Sequence, residues 1–144
     1  MRVVPVLLVA FVAAGAASGR PNTTGCGDVR VQGWSGNQIF VSGGGPRCLY
    51  RAYRARCIAA TLRLRMMGVD TLGTLEFRVV KAASACRVRV AGTNTVYAGH
   101  PRTTTWRETC RSLARRSNGI AVKGCNGEAG DYLLSPAKTK PRRV

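Results

Sequence analysis

The chain has 144 residues, with 23 lysines and arginines against 6 acidic residues and a formal net charge of +17. That length supports one domain with a modest core, and the charge directs it toward polyanions or acidic surfaces. A single histidine, His100, and the absence of any Cys-x-x-Cys pair exclude the common zinc arrangements, so neither metal nor cofactor is expected.

Arg2 opens an apolar run that ends in small residues, in the order of a secretory signal peptide over residues 1–19, cleaved between Ala16 and Arg20. The run is too short to span a bilayer, and no other approaches that length. The mature protein is therefore expected to be secreted and extracellular, without a transmembrane segment. A single domain over residues 20–136 and a basic tail over 137–144 follow. Asn22 begins the sequon Asn-Thr-Thr, a glycosylation site. Cys26, Cys48, Cys57, Cys86, Cys110 and Cys125 all follow the signal, and an even count in an exported chain reads as three disulfides. Fifteen connectivities are open at this point.

Residues 29–34 and 37–45 hold two short strand-like pieces. Leu49, Tyr53, Cys57, Ala60, Leu64 and Met67 then recur at helical spacing, with Pro46 at the start and Gly68 at the end. This predicts one long helix over residues 49–67. The stretch Thr61-Leu62-Arg63-Leu64-Arg65-Met66 also alternates, which is the competing strand reading. Leu75, Phe77 and Val79 share one side of a strand over 74–80. Strand-like pieces recur at 85–92, 94–99, 120–125 and 131–135, residues 100–106 read as loop or edge strand because of Pro101, and 107–119 read as a helical turn. The expected fold class is α+β: one long helix packed on an antiparallel sheet of about four to five strands.

Within the basic stretch Arg87-Val88-Arg89-Val90, strict alternation breaks at Ala91-Gly92 and resumes from Thr93 to Tyr97. The break reads as a turn between two strands. Catalytic constellations are missing. Asp28, Asp70, Glu76, Glu108, Glu128 and Asp131 show no acid/base spacing, His100 sits in a turn, and disulfides consume the thiols that a nucleophilic mechanism would use. The Ser-Gly-Gly-Gly-Pro segment at 42–46 lacks the lysine of a phosphate loop. The chain reads as a non-enzyme.

The order of Gly33-Trp34-Ser35, a long helix, the strand following Asp70, Val90-Ala91-Gly92-Thr93-Asn94, and Gly130-Asp131-Tyr132-Leu133-Leu134-Ser135-Pro136 resembles the cystatins, above all their arthropod salivary members. That resemblance implies a monomeric inhibitor of papain-like cysteine proteases of the cathepsin L type, blocking the active-site cleft with hairpin loops. The implied protease-binding residues are Gly33, then Val88, Arg89, Val90, Ala91 and Gly92 as the first loop, and Ala129 and Gly130 in the second. Val88 stands where the family has Gln, and the second loop lacks the family's Trp. The resemblance also implies a Cys110–Cys125 hairpin disulfide. A helix packed on the following strand would then pair Cys57 with Cys86, and leave Cys26 to tie the amino-terminal segment to Cys48. The alternative function is a basic secreted effector that binds polyanions such as glycosaminoglycans, or anionic surfaces, without inhibiting proteases.

Overall fold

A computed structural model describes residues 22–137; the proposed signal peptide and the basic tail beyond Ala137 lie outside them. In chain order the elements are β1 (Thr24–Ser35), β2 (Gln38–Val41), α1 (Gly45–Arg54), β3 (Ala60–Met67), β4 (Thr71–Ala82), β5 (Ala85–Val96), β6 (Arg102–Cys110), β7 (Ser112–Arg116), β8 (Gly119–Lys123) and β9 (Tyr132–Pro136). They form one sheet in the order β6-β5-β4-β3-β1-β2-β9-β8-β7. With 62% strand against 9% helix, and the sheet nearly closed into a barrel, the fold is mostly β. The α+β expectation of a long helix on four to five strands is corrected accordingly.

The error lies in residues 56–67. The helix ends after Arg54, and Arg56 and Cys57 adopt positive φ angles of 55° and 59°. Those left-handed residues stop the helix and turn the chain back. From Ala60 the alternation takes over: Leu62 and Leu64 are fully buried while Arg63 and Arg65 point outward. Most of the residues expected to be a helical turn at 107–119 are strand as well, Arg107 to Cys110 in β6 and Ser112 to Arg116 in β7.

Two strands make the corners that curve the sheet. β1 pairs in parallel with β3 through residues 24–30, then antiparallel with β2 through 31–35, with an irregularity between Val31 and Gly33. On the opposite side β6 ends at Cys110 and β7 begins at Ser112, so a single residue bends one strand into the next. Strands that pass between sheets at such bends are how a barrel-like sheet turns its corners.

The inner surface carries the core: Phe77, Leu62, Leu64, Val79, Val88, Val90, Val122 and Leu134 are essentially inaccessible. The short helix plugs one end. It packs against β1, β3 and β4 from one half and β7 and β8 from the other, with Leu49 and Ala52 buried. The three disulfides are Cys26–Cys48, Cys57–Cys86 and Cys110–Cys125, with Cα–Cα distances of 5.5, 5.5 and 3.8 Å. These are the pairs expected above. The first two bind the two ends of the helical segment to the sheet. No helix among the described residues is long and apolar enough to cross a membrane.

Candidate functional site

Val88, Arg89, Val90, Ala91 and Gly92 do not form a turn. They lie in the middle of β5, paired on one side with β4 and on the other with β6. The expected hairpin tip is therefore absent, because twelve consecutive residues from Ala85 to Val96 stay in one strand. Of the other residues implied to contact a protease, Gly33 pairs with Phe40 in the β1–β2 hairpin. Ala129 and Gly130 lie in the β8–β9 connection, where the Asn37 side-chain amide donates to the Ala129 carbonyl. The structure thus brings the 129–130 connection against the β1–β2 turn but leaves residues 88–92 inside the sheet.

The break in alternation has a packing cause. Gly92 faces inward and is the register partner of Trp106 on β6. A Cβ at Gly92 would sit 2.2 Å from two carbons of the indole, so only glycine lets that ring lie over β5. The Trp106 indole N–H donates to the Tyr132 hydroxyl at 3.4 Å, and Tyr132 donates in turn to the buried Glu108 carboxylate. Burial first, and the Glu108 hydrogen bond second, push the Tyr132 hydroxyl up to about 12.

Ala91 faces the other way and forms part of the floor of a shallow depression whose walls are Arg78, Arg89 and Arg107. The alternation that buries one side of β3, β4, β5 and β6 sends every arginine of these strands' central parts outward. Cross-strand register then gathers residues far apart in the chain. Arg30 pairs with Arg65, Asp28 with Arg63, Arg63 with Glu76, and Arg78 with Arg89. The face so built carries arginines 30, 63, 65, 78, 87, 89 and 107 against only Asp28 and Glu76. The remaining outward positions are mainly threonine and alanine, such as Thr61, Thr74, Thr93 and Thr109, and none is aromatic.

Ion pairing neutralises part of this face. The Arg63 and Arg78 guanidiniums contact the two Glu76 oxygens at 2.7 and 2.8 Å, and Arg65 contacts Asp28 at 2.8 Å. The Arg63 hydrogen bond, ahead of the attraction of both arginines, holds the Glu76 carboxyl below its ordinary range against the opposing effect of burial. The same contact raises Arg63. Arg30, Arg87, Arg89 and Arg107 have no ion-pair partner among the described residues. Like charges directly opposite on neighbouring strands destabilise a sheet, and Arg78 stands opposite Arg89. Such a face favours an external anion.

The other half also carries basic residues, with Arg47, Arg115 and Arg116 lining one depression. There β7 and β8 also present Arg116 and Lys123 beside Asp131, around a second depression shared with Asn37 and Asn118. The sequence analysis took the positive charge as a total, with a basic tail, and so missed Arg63, Arg65, Arg78 and Arg107 as a group; the available signal was the alternation of arginine with leucine or valine in successive strands.

Fold and face together define a disulfide-stapled, barrel-like β domain with an arginine-rich outer surface. Comparison with protein-family models, with curated proteins and with solved structures gives no match to this chain.

Proposed function

We propose that this is a secreted, non-enzymatic binding protein for extracellular polyanions of the sulfated-polysaccharide type, held on the outer face of β1, β3, β4, β5 and β6. The observation that carries the reading is the excess of arginine over carboxylate on that face, where Arg89 and Arg107 have no ion-pair partner among the described residues and Arg89 stands opposite the ion-paired Arg78. Guanidinium groups match sulfate and phosphate oxygens through paired donors. An array that crosses five neighbouring strands suits a linear chain of regularly spaced anions. The lack of aromatic side chains on the face weighs against single-stranded nucleic acid, which binds by stacking its bases.

Secretion accords with the three disulfides, which persist in oxidising compartments, and with the exposed Asn22 sequon. Retention on heparin beside N-desulfated and fully desulfated heparin tests the reading. Binding that falls in step with sulfate content supports it. Equal retention on all three matrices, or none on heparin at physiological salt, contradicts it.

A further inference from the structure

The end of the barrel opposite the helix is open. Its mouth lies between the β1–β2 turn and the ends of β3, β4, β5 and β6, and it leads into a cavity of about 510 Å³, within the range of small-molecule sites. Small barrels ordinarily fill their interior with side chains. Here one inward position near the mouth is a glycine, Gly73 on β4, and the cavity beside it is lined by Trp34, Ile39, Met66, Leu75, Trp106 and Tyr132.

The lining has a chemistry unlike the rest of the molecule. In a chain with a net charge of +17, no lysine, arginine or carboxylate among the described residues lines this cavity. An anion would find no counter-charge there, and a cation would be repelled by the surrounding field. Two indoles, a phenol and a flexible thioether favour a flat, polarisable body. Asn94 and Thr104 line the cavity with no side-chain hydrogen bond among the described residues, and can fix one polar edge.

The surroundings of the mouth are apolar too. Trp34, Met67, Val69, Leu72 and Tyr97 are the exposed large hydrophobic residues at this end, and Ile58 is the one other such residue among the described residues. The Tyr97 backbone N–H donates to the Asp70 carbonyl, which brings the end of β5 against the β3–β4 turn that carries Val69, with Met67 and Leu72 paired beside it on the outer side of the sheet. Clustered exposure of that kind marks a point of entry or contact for apolar matter.

We propose that the mouth cavity is a binding site for an uncharged, flat, predominantly apolar small molecule, seated among Trp34, Trp106 and Tyr132 with a polar edge toward Asn94 and Thr104. The site is separate from the arginine face and stands or falls independently of it.

The test is a titration of the oxidised protein with N-phenyl-1-naphthylamine, an uncharged naphthalene probe. The chain has two tryptophans, Trp34 and Trp106, and both line the cavity, so quenching of tryptophan emission reports on occupancy. The expected result is saturable, equimolar binding with a rise in probe emission and a matching loss of tryptophan emission. Gly73→Val narrows the cavity and Thr104→Arg obstructs the exposed rim; each should weaken binding roughly tenfold or more, while Arg89→Gln leaves it unchanged. Should Gly73→Val fail to fold by circular dichroism, Thr104→Arg, an exposed position, decides alone. Absence of saturable binding overturns the proposal. So does wild-type affinity in the folded cavity variants, or a loss in Arg89→Gln equal to theirs.

Discussion

The indole of Trp106 lies over the bare Cα of Gly92, its partner across β5 and β6, with ring carbons 2.2 Å from where a Cβ would stand. An alanine at Gly92 must displace the ring and disturb the bond from Trp106 to Tyr132. Gly92→Ala should therefore cost about 1–3 kcal/mol by overpacking, and Gly92→Glu, which also buries a charge, should cost more. Urea unfolding followed by circular dichroism measures this. A solvent-exposed inhibitory loop would instead tolerate both substitutions without loss of stability.

Alkaline titration should expose the same network. The Tyr132 hydroxyl is pushed up to about 12, mainly by burial, from an ordinary value of 10.0. Its folded value exceeds its unfolded one, so the stability that it contributes is complete below pH 10 and disappears as pH rises toward 12. Tyr132→Phe should remove the latest-titrating component of the absorbance at 295 nm. If the variant keeps that component, the assignment to Tyr132 is wrong.

The Cys57–Cys86 bridge ties the residues just past the helix to the start of β5, across 29 positions of sequence. Replacing both cysteines by serine should lower stability by about 2–4 kcal/mol, read as a shift of the guanidinium midpoint. A change well under 1 kcal/mol would show that the helix end is held by packing alone.

Glu76 is the carboxylate that occupies both Arg63 and Arg78. Its carboxyl is held low by those contacts, so their small contribution to stability is present above its ordinary range and is lost on acidification through the lowered value. These are exposed pairs, and Glu76→Gln should change stability by less than about 1 kcal/mol. It should also free two guanidiniums and move elution from heparin to higher salt. Unchanged or earlier elution would place the bound anion elsewhere.

Much of the strand content was legible, since alternation in residues 74–80 and 87–90 survives as buried and exposed sides of β4 and β5, and the short strand read at 120–125 is β8. Cysteine pairing was also reached. The helix was overextended because residues 49–67 satisfy both periodicities, and what decides between them is the left-handed pair Arg56 and Cys57, which carries no glycine to announce it. Ala91-Gly92 read as a turn because its cause, the Trp106 ring, arrives from a strand 14 residues downstream — a pairing that no local window contains. The arginine face was hidden for the same reason: Arg78 and Arg89 become neighbours only through the β4–β5 register.

The most direct measurement is the salt dependence of heparin affinity for two charge-matched triple variants. One replaces Arg78, Arg89 and Arg107 by Gln; the other replaces Arg47, Arg115 and Arg116, which line a depression elsewhere on the molecule. Binding through the β1–β3–β4–β5–β6 face predicts that the first variant loses affinity and has a shallower dependence on salt concentration, while the second stays near wild type. Equal loss in both would mean that only total charge matters, and would contradict a binding site on that face.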